Sequence, residues 1–175
     1  MKHCSQISLA APHGLGTRNS GFTLIEMAVV IIVLAVLTSL AAPSFFNLIR
    51  TQRVKSAAND LMSSLAFARS EAVKRNADVT IARVGSSWTN GWTVTYVSGG
   101  TQTARVHSAL QNLSVTTSVT SLVFGGGGRA DATATFTVDS SPQVSAVTAR
   151  CIEVKVDGVP RSWVERGGNH DCTDD

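Results

Sequence analysis

Gly21-Phe22-Thr23-Leu24-Ile25-Glu26 stands directly before a run, Met27 to Ile49, that holds no charged residue over 23 positions. A helix of about 20 apolar residues crosses a bilayer, so the run is long enough to span one. A carboxylate at the mouth of such a segment is costly unless a group outside the segment satisfies it. The small residue Gly21 precedes the apolar run, whereas an ordinary secretory signal places its small-residue cleavage site after it. A cut at Gly21 removes a polar leader, residues 1–21, and leaves the hydrophobic helix on the remaining chain.

The helical signal runs on from 22 to about 77 in two parts. Residues 22–49 are the expected transmembrane part, apolar all round from Phe22 to about Ala42 as suits a helix facing lipid. Pro43 removes a backbone hydrogen bond and crowds the carbonyl of Ser39, which predicts a kink near 39–43, with Thr38 and Ser39 bonding freed carbonyls. Residues 50–77 are amphipathic. Val54, Ala58, Leu61, Leu65, Ala68 and Ala72 recur at alternating spacings of four and three, a narrow seam that predicts packing on one surface. Arg53, Lys55, Asp60, Arg69 and Lys74 carry charge around it.

Beyond Asp78 the period changes. Val79–Val84, Trp92–Val97, Thr103–His107, Leu122–Phe124, Thr133–Val138 and Arg150–Val156 are short, rich in Val, Thr and aromatics, and roughly alternating, so they predict strands. Asn90-Gly91 between Trp88 and Trp92 predicts a hairpin turn. Gly99-Gly100, Gly125–Gly128 and Asp157-Gly158 predict further turns, the four-glycine stretch as a mobile loop. Strands this short need a partner layer, and the helical seam supplies one. The expected fold is α+β: a long N-terminal helix packed on an antiparallel β-sheet domain, residues 78–175.

The chain has 175 residues and a formal net charge of +3, with 15 basic and 12 acidic residues. That length suits one compact domain plus an anchor. Lys2 and Arg18 lie in the leader, and without them 13 basic residues face 12 acidic ones. The sequence pI therefore overstates the pull of the remaining chain on nucleic acid. Cys4 lies in the leader, while Cys151 and Cys172 lie together near the C-terminus. A membrane segment followed by a polar domain with two cysteines points to an oxidising compartment. There the pair closes a loop of roughly 20 residues, with about 3 kcal/mol of stabilisation. The alternative is two buried, unpaired thiols.

The start Gly-Phe-Thr-Leu-Ile-Glu resembles that of the type IV pilin and pseudopilin superfamily. Pro43-Ser44-Phe45, Leu65-Ala66-Phe67-Ala68-Arg69-Ser70-Glu71-Ala72-Val73-Lys74-Arg75-Asn76, Trp88…Asn90-Gly91-Trp92 and Arg150-Cys151-Ile152-Glu153-Val154 are similar to its GspH/FimT branch. The resemblance implies that a prepilin peptidase cuts between Gly21 and Phe22 and methylates the new Phe22 amine. It makes 22–49 a filament-core helix as well as an anchor. Glu26 then meets a Phe22 amine of its own or an adjacent subunit, setting register in a low dielectric. It also implies a single-pass inner-membrane protein with its C-terminal domain in the periplasm, built with other minor pilins into a type IV pilus or a type II secretion pseudopilus.

Some members of this branch bind incoming DNA through a Gly-Arg-x-Arg pattern. Here Gly158-Val159-Pro160-Arg161 lacks the first arginine, so Arg161 and Arg166 are the remaining candidates for phosphate contact. Between Cys151 and Cys172 stand three basic and four acidic residues. Since non-specific DNA affinity follows the number of phosphates neutralised, the loop predicts weak binding. Trp88 and Trp92 fit base stacking less well than hairpin or core packing. No cofactor or metal is expected, since only His107 and His170 follow Gly21 and neither H-E-x-x-H nor Cys-x-x-Cys occurs. Gly125–Gly128 continues as Arg129-Ala130, unlike a phosphate-binding P-loop. The sequence predicts no catalytic residues and no enzyme.

Overall fold

The structure, a computed structural model, describes residues 21–172; the leader expected at the N-terminus, with Cys4, lies outside them except for Gly21. The chain divides into two compact units, up to Leu40 and from Ala41 onward. The first unit contains the N-terminal part of helix α1 (Leu24–Arg75), whose large apolar side chains are exposed. The helix is long and apolar enough there to cross a membrane, and none of its most apolar stretch is buried in the protein.

Two hydroxyls, Thr38 and Ser39, donate to carbonyls within this stretch. Thr38 Oγ1 reaches Leu34 O and Ala35 O at 2.9 and 3.0 Å, and Ser39 Oγ reaches Val36 O at 2.7 Å. They bond the turn before them rather than the Ser39 carbonyl crowded by Pro43, because a helical Ser or Thr side chain points back toward the N-terminus. Helix α1 is one continuous element containing Pro43.

In the second unit α1 buries the expected seam. Val54, Ala58, Leu61, Leu65, Ala68 and Ala72 are at most 4% exposed, joined by Ala57 and Ser64. The helix ends where Asn76 adopts φ +49°. Asn76 N donates to Val73 O and Ala77 N to Ala72 O, a Schellman closure with Asn in the left-handed position. Asparagine tolerates that conformation better than other non-glycine residues.

The β domain has eight strands: β1 (Val79–Arg83), β2 (Trp92–Val97), β3 (Thr101–His107), β4 (Leu113–Thr116), β5 (Ser121–Phe124), β6 (Ala134–Ser140), β7 (Arg150–Val154) and β8 (Pro160–Val164). They form two antiparallel four-stranded sheets, ordered β3-β2-β1-β5 and β4-β6-β7-β8. One core joins them to the helix: Val54, Leu61 and Leu65 cluster with Ile81, Leu122, Phe136 and Ile152. Six strands coincide with sequence expectations to within a few residues; β4 and β8 were not expected.

Two local expectations are corrected. Trp88–Asn90 forms a short 3-10 turn between β1 and β2 rather than one side of a tight hairpin. Gly91, at φ +96°, is needed there because a Cβ would lie 2.1 Å from His107 O. The glycine loop 125–128 is docked. Gly125 N bonds Arg129 O, Gly128 N bonds Gly125 O, and Arg69 Nε donates to Gly128 O at 3.0 Å. A Cβ on Gly126 would stand 2.7 Å from the Asn76 carbonyl carbon, so backbone meets backbone and only glycine fits.

Candidate functional site

The N-terminal site is built by the first helical turn. Thr23 precedes Leu24 and caps the helix: Glu26 N donates to Thr23 Oγ1 at 3.2 Å, and Thr23 N donates to Glu26 Oε2 at 3.5 Å. This is a capping box, Thr-x-x-Glu, which satisfies two of the helix's orphan amides reciprocally. The carboxylate also sits in the first turn, where the helix dipole favours negative charge. The box turns Glu26 back toward residue 22, whose nitrogen is one residue upstream of the amide it contacts. Gly21 has open space around it, and Phe22 is 71% exposed. The whole hexapeptide is open to a peptidase or a neighbouring chain. Glu26 is conspicuous in the sequence as a carboxylate beside the apolar run; Thr23 is not, although its place three residues before a glutamate was the available signal.

The distal site lies at the end of the second sheet. Cys151 on β7 and Cys172 form a disulfide, with Cα atoms 5.6 Å apart across a sequence separation of 21. His170 Nδ1 lies 2.9 Å from Asp139 Oδ2, which also accepts from Gln143 Nε2 at 2.9 Å. Asp139 is almost wholly buried, so these contacts tie the C-terminal segment to the end of β6.

Arg161 and Arg166 line one depression together with Glu153 and Trp163. Arg161 is not a bare cation: its Nη2 lies 2.7 Å from Asp157 Oδ2. This contact lowers the Asp157 carboxyl below its ordinary range and raises Arg161 above its own. Glu153 stands opposite Arg161 in the β7–β8 register and pairs with Lys155 at 3.5 Å. Carboxylates thus share the depression with its arginines, which weakens any field for phosphate.

Both tryptophans belong to the core. Trp88 packs edge-on to Phe136 at 5.0 Å and donates to Val119 O at 2.8 Å, while Trp92 stacks on His107 at 4.0 Å. Neither face is available for bases. Among the described residues no group of three or more His, Cys, Asp or Glu is placed to hold a metal.

The family described as "Type II transport protein GspH" matches residues 57–158, more than half of the chain. The chain belongs to the GspH family. A second match, the prokaryotic N-terminal methylation motif, covers residues 16–42 and so contains the capping box and the cleavage expected at Gly21. No curated protein matches.

Two solved structures share the GspH-type fold. The type IV minor pilin FimU of Pseudomonas aeruginosa is 22% identical with a TM-score of 0.56, covering 66% of this chain and 90% of its own. The minor pseudopilin EpsH from the type II secretion system of Vibrio cholerae is 14% identical with a TM-score of 0.54, covering 64% and 97%. A GspH-family chain with this N-terminus is a minor pilin or pseudopilin, of a type IV pilus or a type II secretion system. The methylation motif implies processing by a prepilin peptidase. DNA binding finds no specific support in these likenesses.

Proposed function

We propose that this GspH-family chain is a low-abundance subunit that helps initiate a pilus or pseudopilus. It is held in the inner membrane by residues 22–49, with its β domain in the periplasm, until other minor pilins or pseudopilins recruit it. The prepilin peptidase cuts between Gly21 and Phe22 and methylates Phe22. The observation that carries this reading is the capping box at the mouth of an exposed apolar helix. It holds one carboxylate, Glu26, facing back toward the nitrogen that becomes the new amine.

In a filament the helix surface is removed from water and lipid by neighbouring helices. A carboxylate left alone in that setting is strongly penalised, whereas one paired with a Phe22 amine is stabilised. Pairing is met at one axial offset, so Glu26 selects register. The disulfide Cys151–Cys172 fits the oxidising compartment that this topology gives the β domain.

Two substitutions test the reading in cells. Glu26→Ala is expected to leave membrane insertion intact while sharply reducing recovery of the chain with its partner pilins. Gly21→Leu is expected to leave the precursor mass uncut. Normal co-recovery of the Glu26→Ala protein would remove the register argument, and normal cleavage of Gly21→Leu would move the processing site.

A further inference from the structure

The first charged residue after the uncharged run 27–49 is Arg50, followed by Arg53 and Lys55, and the first acidic residue is Asp60. At about 1.5 Å per residue the run is slightly longer than the ~30 Å hydrocarbon core. Arg50 therefore falls at the level of the lipid headgroups. On the outer side of a membrane, basic residues close to a span run against the usual cytoplasmic bias, so their presence there calls for a local partner.

The geometry offers one. Arg50 and Arg53 are three residues apart and so share a helix side. Both line a depression of about 370 Å³. Its helical wall includes Phe46 and Ile49, and the facing wall includes Asn112, just before β4, and Ser141, just after β6. Neither arginine side chain makes an ion pair or hydrogen bond among the described residues. Arg75 and Arg161, by contrast, are each paired with a carboxylate.

We propose that this depression binds the phosphate of an anionic phospholipid headgroup from the outer leaflet of the membrane that anchors the chain. Arg50 and Arg53 grip the phosphate oxygens, a role to which the forked guanidinium is suited. The Asn112 amide and the Ser141 hydroxyl supply neutral hydrogen-bonding groups for the rest of the headgroup. Phe46 and Ile49 meet the first carbons of the acyl chains. The proposal rests on the membrane topology given under Proposed function.

The test uses the full chain purified in detergent and native mass spectrometry with added phosphatidylglycerol, phosphatidylcholine or inorganic phosphate. Phosphatidylglycerol is expected to be retained about tenfold better than phosphatidylcholine, because both offer the phosphate but the choline cation of the second is repelled by the paired arginines. The Arg50→Gln/Arg53→Gln double variant is expected to lose that preference with an unchanged melting temperature. Arg129→Gln, which removes an exposed cation elsewhere, should keep it.

Equal retention of the two lipids, or an undiminished preference in the double variant, would overturn the site. Displacement of the lipid by inorganic phosphate at matched concentration would show a free-anion site and overturn the lipid assignment. Because the chain is solubilised, a failed assembly test with lipid retention intact removes the filament reading and leaves the site.

Discussion

Thr23 and Glu26 close the first turn of α1 on each other. In the described chain the carboxylate satisfies the amide of Thr23 at 3.5 Å, a long contact that a stronger partner can replace. Glycines do comparable work in the β domain by excluding side chains. Gly158 has φ +72°, and a Cβ there would stand 2.0 Å from Gly128 O. Gly158→Ala is therefore expected to cost about 2–4 kcal/mol, from overpacking and the left-handed backbone together. Gly127→Ala, in open space, should cost little. Thermal unfolding of the two proteins side by side checks this, and equal melting temperatures would mean that the loop gives way freely. The sequence marks these glycines as a turn but not as docked, because the contact is backbone to backbone and leaves no side-chain pattern.

At the level of elements, α1 was legible because its seam repeats at helical spacing and its charges fall outside it. The last turn adds an electrostatic clasp. Glu71 is bound by Arg75, with Oε2 2.9 Å from Nε and 2.8 Å from Nη2, and Lys74 lies 3.5 Å from Oε1. The Arg75 hydrogen bond holds the Glu71 carboxyl below its ordinary range against the opposing effect of burial, with Lys74 adding to it. The Arg75 guanidinium also lies 3.5 Å over the Tyr96 ring, which ties the turn to β2.

A lowered carboxyl contributes stability that is fully present above its unfolded value and is lost as pH falls through the folded one. Acid titration of unfolding should therefore show a loss below the ordinary Glu range that is absent in Glu71→Gln. Parallel acid profiles for the two proteins would count against the clasp. Leu61→Ala or Leu65→Ala, in the fully buried seam, should cost about 2–5 kcal/mol by thermal unfolding.

The two strands missed in the sequence, β4 and β8, are the two edges of one sheet. An edge strand pairs on one side only, and these two are four and five residues long. β4 leads into a run of Ser and Thr that blurs its far end, and only Asn112, at φ +57°, bounds its start. β8 opens on Pro160, which an edge position tolerates and a central one does not. Edge position alone does not hide a strand: β3 and β5, the edges of the other sheet, were legible, β3 by its seven-residue length and β5 by its apolar Leu122-Val123-Phe124.

For the molecule as a whole, the N-terminal hexapeptide was legible because membrane physics makes one carboxylate conspicuous. The depression at Arg50 and Arg53 was not, since Asn112 and Ser141 come to it from distant parts of the chain. The disulfide reaches across the missed strand: Cys151 lies on β7, and β8 is enclosed between it and Cys172. Minor subunits act among many chains of similar design, where an edge strand is prone to be traded between copies. With β8 inside a closed covalent ring, one copy cannot lend it to another without threading that ring. The bond thus keeps each copy's last strand its own. A Cys151→Ser/Cys172→Ser chain at high concentration is expected to yield strand-exchanged dimers on size-exclusion chromatography, whereas the parent chain handled identically stays monomeric.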